Sequence, residues 1–308
     1  MSRSAPVGPE LAHVGTALKS EASPKAGSDS LRVLGRAFCG MAARLALAMG
    51  LCASLAAQDN YEIQVYGSDT VAPGDTMVEL HSNFTADGST ASSQGVHPTK
   101  HAFHETLEVT HGFTDWFETG VYVFTSARSP DGWSYVGSHL RPRARAPDSW
   151  GWPVGASLSA EVGFQHRSFS ADTWTLELRP IIDNPKHGRF YWSLNPSLDL
   201  ALKGVNRSRG LEFAPNAKLS WDVIKAISVG LEYYGSLGPL SGFDPSSQQQ
   251  HQLFPSLDLN LSPEWEVNLG YGFGLTPSTD HRILKLILGR RFGRSGRGDP
   301  GWKGPSRE

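Results

Sequence analysis

Cysteine is scarce in this 308-residue chain, where Cys39 and Cys52 are the only two. Both lie in the first 57 residues, so removal of that segment would leave a protein without a thiol, a disulfide or a cysteine metal site. Long apolar runs are missing as well. After residue 57 no stretch reaches the roughly 18 apolar residues of a membrane-spanning helix, which excludes a helical membrane bundle.

Charge is also low. Charged residues make up 19% of the chain and the formal net charge is -2, which argues against a general nucleic-acid binder, because such proteins usually carry a basic patch. Aromatic residues are plentiful, with 9 Trp, 8 Tyr and 14 Phe, and this content excludes disorder of the whole chain.

The N-terminal part has the pattern of an export signal. A short basic stretch ends at Arg44, an apolar stretch covers residues 45–55, and small residues precede Gln58. We therefore predict that residues 1–57 are a signal peptide with a mis-annotated upstream extension, for which Met41 is the true start. The exported chain that remains is acidic.

A two-residue period of apolar and polar side chains runs through the rest of the chain. In residues 154–165, for example, Leu158 and Phe164 share one face and Ser157 and Glu161 the other. Alternate side chains of a strand face opposite sides, so this period predicts strands. Twelve segments show it: 75–86, 101–113, 116–126, 133–145, 154–165, 172–182, 190–200, 210–221, 226–236, 250–261, 264–275 and 281–292.

Strand length and loop length favour a membrane barrel over a soluble sandwich. The segments have about 10 to 13 residues, which suits a tilted transmembrane strand, whereas soluble strands usually have about 5 or 6. The connections alternate between long (87–99 and 237–249) and short (112–115, 222–225 and 262–264). We predict an all-β, antiparallel, up-and-down transmembrane barrel of about twelve strands, with the long loops outside the cell.

Tryptophans fall near the ends of the predicted strands, where amphipathic rings prefer the membrane interfaces. One girdle, predicted on the periplasmic side, comprises Trp116, Trp150, Trp152, Trp192, Trp221 and Trp265, and the other comprises Trp133 and Trp174.

Five prolines are exceptions to the strand pattern. Pro142, Pro180, Pro196, Pro215 and Pro255 stand inside predicted strands, where the missing N–H predicts a bend or a bulge, or else a local error in our register.

The last predicted strand, Arg282 to Phe292, alternates and ends in an aromatic residue. In this the chain resembles the bacterial outer-membrane β-barrel proteins over about residues 60 to 292, and it is similar to poorly characterised outer-membrane transport barrels. The resemblance implies the bacterial outer membrane as location, and outer-membrane lipid and the barrel assembly machinery as partners. We expect a periplasmic segment over 58–74, the barrel over 75–292, and a disordered polar tail over 293–308.

The polar strand faces should line the lumen. The candidates for selectivity there are His139, Arg141, Arg143, Arg145, Glu79, Glu108, Glu161, Glu177 and Arg179. Two interpretations stay open: a salt-bridged interior that braces the barrel, or a permeation path in which the arginine row of residues 141–145 orients an anionic or zwitterionic solute. Glu108 and Glu161 are the acids expected to face that row. We predict a passive channel or transport-related protein for small polar solutes, without a metal or cofactor, or alternatively a purely structural barrel.

One enzymatic alternative remains, a lipid-acting hydrolase at the outer rim. His166 and Ser168 have an H-x-S spacing on one strand face, with Asp172 as a possible orienting acid. The neighbouring strand carries Trp174 and Leu176 where this pattern needs another polar side chain. The sequence therefore favours a protein without catalytic activity.

Overall fold

The computed structural model describes residues 60–184 and 188–293, and all structural statements below refer to these residues. The chain forms strands β1 Thr76–Asp87, β2 Phe103–Thr114, β3 Phe117–Arg128, β4 Gly132–Arg145, β5 Gly155–Gln165, β6 Asp172–Asp183, β7 Phe190–Gly204, β8 Leu211–Ile224, β9 Ile227–Ser236, β10 Gly238–Pro239, β11 Gln250–Leu259, β12 Trp265–Gly274 and β13 Arg282–Phe292. Two 3₁₀ turns, Asp148–Trp150 and Arg207–Arg209, are the helical elements of the described part. No helix there is long and apolar enough to cross a membrane.

The strands close into a barrel. Each long strand pairs antiparallel with the next one along the chain, and β1 pairs with β13 to complete the circle. The two-residue β10 pairs only with β8, outside this order. The prediction of a twelve-stranded up-and-down barrel is confirmed, and the predicted strand positions agree with the structure to within a few residues.

The two ends of the barrel differ in the length of their connections. At one end lie the long connections 88–102 and 237–249, which we call the long loops, and we call this the loop end. At the other end, called the turn end, β3 follows β2 through residues 115–116 and β9 follows β8 through residues 225–226. The two long loops and these two short turns thus fall at opposite ends, as the sequence predicted. The alternation is not strict, because β5 follows β4 at the turn end through residues 146–154 and β4 follows β3 at the loop end through residues 129–131.

Alternation separates an apolar outside from a polar inside. On β3, Glu118, Tyr122 and Phe124 are buried in the barrel while Val121 and Val123 are exposed on its outer wall. The outer wall carries a belt of such aliphatic side chains: Leu80, Leu107, Val109, Leu140, Leu158, Ile182, Leu194, Leu219, Val229, Leu231, Leu269, Leu284 and Leu288. Such a belt between aromatic girdles is the surface by which a transmembrane barrel meets lipid.

The exposed aromatic side chains lie at the rims of this belt. At the turn end these are Phe113, Trp116, Trp150, Trp152, Phe190, Trp221, Trp265 and Phe292, and toward the loop end Trp133, Tyr135, Trp174 and Phe273. The two predicted girdles are therefore present. Trp192 is the one predicted member that is only half exposed.

The strand prolines interrupt ladders without changing the register. Pro196 and Pro215 are direct partners on β7 and β8. Between β6 and β7 the pairing runs from Leu178 opposite Leu198 to Ile182 opposite Leu194, and the intervening residues, which include Pro180, are unpaired on that side. The ladder thus has a gap at Pro180, where a proline cannot donate to the adjacent strand, but the expected bulge is not present at Pro180, Pro196 or Pro215.

The segment before β1 runs through the barrel. Near the loop end the Asn60 side chain donates to Asp280 in the β12–β13 connection at 2.6 Å. At the turn end the Gly74 amide donates to the Gly112 carbonyl at 2.8 Å. We call residues 60–75 the lumenal segment. Residues 58–74 were expected to lie in the periplasm, but residues 60–68 lie inside the barrel, where the polar wall supplies hydrogen-bond partners, and the segment reaches solvent at the turn end, where Asp69, Pro73 and Gly74 are exposed.

Some sequence predictions fall outside the described residues. These are the signal peptide over residues 1–57 and the tail after Gly293.

Candidate functional site

Tyr66 is the centre of the contacts between the lumenal segment and the barrel wall. Its ring lies under three guanidinium groups, with centroid distances of 4.4 Å to Arg141, 4.7 Å to Arg179 and 5.7 Å to Arg143. Cations within about 6 Å of a ring are attracted by its quadrupole, most strongly where water is excluded. Tyr66 is only 5% exposed, so the three arginines form a desolvated cage around it.

The main chain at Tyr66 is held by two side chains of β7. The Tyr66 amide donates to Asn195 Oδ1 at 2.8 Å, and the Tyr66 carbonyl accepts from Asn195 Nδ2 at 3.0 Å and from Ser193 Oγ at 2.6 Å. Buried backbone groups need such partners, and here side chains of the wall supply what a neighbouring strand supplies in a sheet. Asn195 and Ser193 point inward because they occupy alternate positions of β7.

The segment is anchored again just below Tyr66. Asp183 on β6 accepts from the Ser68 amide at 3.0 Å and from Ser68 Oγ at 2.6 Å. Glu118 on β3 accepts from the Val71 amide at 2.6 Å. Arg143 donates to the Gly67 carbonyl at 3.1 Å and also to that of Asp69. Charged groups of the wall thus bind backbone polar groups of the segment.

The arginine row of β4 is paired rather than free. Arg141 Nη2 lies 2.6 Å from Glu108 Oε1, and Arg143 Nε lies 2.7 Å from Glu118 Oε1. The row continues at the turn end with Arg145, 2.5 Å from Asp148. Sequence reasoning named Glu108 as a facing acid but missed Glu118, although Glu118 is the direct cross-strand partner of Arg143.

His139 and Glu161 form a separate pair. His139 Nδ1 lies 2.5 Å from Glu161 Oε1 between β4 and β5, so Glu161 contacts the histidine and not the arginine row. On β6, Glu177 lies 2.6 Å from Arg179, and Arg179 reaches Glu62 of the lumenal segment at 3.3 Å. All nine sequence-predicted lumen residues therefore lie on the inner wall or at its rim.

A second charged network lies across the barrel. Lys218 Nζ is 3.3 Å from Glu232 and 2.8 Å from Asp258, and Lys285 contacts Glu232 directly. Asn268 donates to both acids, at 3.1 Å and 2.7 Å. Paired and hydrogen-bonded charges of this kind satisfy one another, since an isolated buried charge is costly.

The part of the lumen nearer the loop end is closed by apolar packing. Ile63 and Val65 of the lumenal segment pack with Tyr234, Phe254 and Ile283 of the wall. Tyr61 packs in the same way against wall residues that belong to β3 and β4, namely Tyr122, Phe124 and Val136. In the described part of the chain this packing fills the lumen at that level.

A cavity of about 350 Å³ remains below this closure, bordered by residues of the turn end such as Phe190, Asp222 and Trp265. Among its described lining residues eight are acidic (Asp69, Glu79, Glu108, Glu118, Asp183, Asp222, Asp258 and Glu266) and five basic (Arg141, Arg143, Arg189, Lys218 and Arg291). The lining is therefore net acidic, which would favour a cation or a polar solute with a cationic group.

The H-x-S residues are not arranged as a catalytic triad. His166 is exposed, and its ring packs edge-on against Phe164 at 5.3 Å. Asp172 is buried, and its carboxylate accepts from the Asn206 amide at 2.9 Å and side chain at 2.8 Å. Within residues 60–184 and 188–293 no side-chain hydrogen bond joins Ser168 to His166. The nucleophile, base and orienting acid are thus not connected.

The closed wall, the apolar belt and the aromatic girdles define a bacterial outer-membrane β-barrel. Its fold is similar to that of the COG4313 outer membrane channel from Pseudomonas putida F1, with a TM-score of 0.51 and 11% identity, covering 75% of this chain and 100% of that one. Two porins also resemble it in fold. The KdgM porin has a TM-score of 0.45 and 9% identity, covering 71% of this chain and 99% of that one. The NanC porin has a TM-score of 0.47 and 8% identity, covering 70% of this chain and 100% of that one. No protein-family model and no curated protein matches the sequence.

Proposed function

We propose that this protein is an outer-membrane channel or transport-related barrel for small polar solutes, and that the lumenal segment closes it in the state described here. The observation that carries the proposal is the course of residues 60–75 along the lumen, bound by the wall from Asn60 to Gly74. The similarity of its fold to an outer-membrane channel supports the class.

The contacts between the lumenal segment and the wall are of a kind that allows the segment to close the barrel reversibly. Around Tyr66 and Ser68 the segment is held by hydrogen bonds and ion–ring contacts, which water can replace when the segment moves. Displacement would expose the polar wall, a lining suited to hydrated solutes rather than to apolar ones. The excess of acids around the cavity favours solutes that are neutral or carry positive charge.

A reversible crosslink between segment and wall tests the proposal. A Cβ built on Gly155 of β5 would lie 3.1 Å from Ser68 Cβ and closer still to Asp183 Oδ1. The Cβ atoms of a disulfide lie roughly 3.5 to 4.5 Å apart, so the bond forms once the segment and the Asp183 side chain shift outward slightly. Both native cysteines precede residue 58, so Ser68→Cys with Gly155→Cys adds the only thiols of the exported chain. We expect openings in a planar bilayer under reducing conditions and a silent barrel after oxidation.

The single variants Ser68→Cys and Gly155→Cys are the matched controls, and neither should respond to oxidant. A conductance that is the same in the oxidised and reduced double variant would show that the segment does not control the path. The paired charges on the wall favour a purely structural barrel as the second candidate. The structural barrel would be supported if no channel openings are recorded from the wild type, from the reduced double variant and from Tyr66→Leu, in which the hold on the segment is weakened.

A further inference from the structure

Three potential metal ligands meet on the inner wall where β1 pairs with β2. Glu79 and Glu108 are direct cross-strand partners, and His81 lies two residues from Glu79 on the same face. One ligand atom from each of these residues lies within 4.8 Å of the others. The three side chains are buried, with exposures of 6% for Glu79 and 0% for the other two. The pairing of two strands has thus gathered an imidazole and two carboxylates.

The charges in this cluster are unequally compensated. Glu108 accepts from Arg141 and from Thr110, each at 2.6 Å, and lies 3.2 Å from His81 Nε2. Glu79 has no hydrogen bond or ion pair with any residue in the described part of the chain, although it is more than nine-tenths buried. Like charges directly opposite each other on paired strands are destabilising, so Glu79 needs a counter-charge or a proton.

Glu79 lies beside a second carboxylate, that of Glu266. Gly289 of β13 is the partner of Glu79 on the other side, and a Cβ there would lie 3.0 Å from Glu79 Cγ, 3.3 Å from Glu266 Cβ and 2.5 Å from Met77 Cε. Because the Met77 methyl already fills this position, a ligand has to reach Glu79 from the cavity. Glu79 and Glu266 both border the net acidic cavity, through which a hydrated ion can approach from the turn end.

We propose that Glu79, His81 and Glu108 form a binding site for a divalent transition-metal cation of the Zn²⁺ type. One imidazole nitrogen and two carboxylate oxygens are ligands that zinc accepts, and the cavity leaves a fourth position to water. Metal–ligand distances of about 2.0 to 2.2 Å place ligand atoms roughly 3.5 Å apart, so the side chains must close in slightly on binding. His81 Nε2 would then contact the metal instead of its present partner, the Glu108 carboxylate, which becomes a ligand as well. Arg141 would keep holding Glu108 as an outer partner that orients it.

The affinity should be moderate because Arg141 brings a positive charge to the same carboxylate. This proposal does not rest on conduction, since an ion can reach the cavity of a closed barrel. Binding by a barrel that never conducts would support the metal site and count against the channel. A conducting barrel that binds no zinc would support the channel and count against the metal site.

The test is calorimetric titration of the purified full-length barrel with zinc alone, supported by the visible spectrum of a cobalt-loaded sample. We expect one ion per barrel, and at least about a tenfold weaker affinity in His81→Gln and in Glu79→Gln. His104→Gln is the matched control, because His104 is an equally buried, inward-facing histidine of β2 outside the cluster. The zinc affinity of His104→Gln should equal that of the wild type. The affinity of His166→Gln should also be unchanged, which would show that zinc does not bind at this exposed histidine.

Folding of each variant is checked by its heat-modifiable migration in gels. If His81→Gln does not fold, Glu79→Gln still tests the site, because glutamine keeps the shape of the glutamate side chain. Equal zinc affinity in the wild type and in Glu79→Gln would overturn the assignment, as would the loss of binding in His166→Gln. A wild-type barrel that takes up no zinc or cobalt would overturn it as well.

Discussion

The aromatic face of Tyr66 should control how firmly the lumenal segment closes the barrel. Tyr66→Leu removes three cation–ring contacts, each worth about 1 kcal/mol at a partly desolvated site. The arginines keep their carboxylates after the substitution, so the loss of about 3 kcal/mol falls on the segment. The substitution also removes the hydroxyl contact with Tyr122, worth about 1 kcal/mol, which brings the total to about 4 kcal/mol. Because 1.4 kcal/mol is a factor of ten, the ratio of open to closed barrels should rise roughly 700-fold.

Tyr66→Phe separates the ring from the hydroxyl. The ring and its arginines remain, while the hydroxyl bond to Glu62 and the 3.1 Å contact with the Tyr122 hydroxyl are lost. Glu62 belongs to the lumenal segment itself, so only the contact with Tyr122 of the wall bears on closure. A hydrogen bond between neutral groups contributes about 1 kcal/mol, so about a fivefold rise is expected. The open probability in single-channel recordings should therefore increase from wild type to Tyr66→Phe to Tyr66→Leu.

Tyr135→Leu is the control for this series, because Tyr135 is an exposed tyrosine on the outer face of β4. Its open probability in single-channel recordings should equal that of the wild type. Equal open probabilities in Tyr66→Phe and Tyr66→Leu would refute the cation–ring argument. Unchanged recordings in both variants, with a wild type that conducts, would show that the segment does not close the path.

Three further predictions concern the exposed ends. Tags in the two long loops should be labelled on intact cells and a tag at residues 225–226 should not, because the long loops are expected outside; the opposite pattern would reverse the orientation. Ser168→Ala should leave fatty-acid release from mixed micelles at background, and activity lost on this change would favour the hydrolase. Burial, with Arg128 nearby, lowers the pKa of His97, so the folded loop favours the neutral ring and loses stability as pH falls below about 6.5. Exchange of the His97 amide, which donates to the Ser168 carbonyl at 2.8 Å, should therefore be faster at pH 5 than at pH 7.5 after correction for intrinsic rates, and equal protection would contradict this.

The barrel itself could be predicted because its determinants are local. A period of two is visible in any ten residues, and the wall has to repeat it twelve times to keep lipid on one side. The same alternation assigned Arg141, Arg143 and Glu108 to the inner wall. Their spacing could not show that Arg143 pairs with Glu118, because the partner depends on the hairpin register of β3 and β4.

The metal cluster was hidden for a related reason. Glu79 and His81 are two residues apart, but Glu108 comes from beyond a long loop, and one residue of slip between β1 and β2 would turn it to the lipid face. The one ligand spacing within a single predicted strand, that of His101, His104 and Glu105, places side chains on opposite faces, so no metal site was predicted from the sequence.

By itself, then, the sequence determined the strand count, the direction of each wall side chain and the division between lipid and lumen. Only the tertiary structure decided what fills the lumen. Residues 60–75 contain too few positions to show a clear period, and their partners lie far along the chain, as Asn195 lies 129 residues from Tyr66. Those partners converge only when β1 and β13 close the barrel, so closure, a property of the whole chain, creates the site that holds the segment.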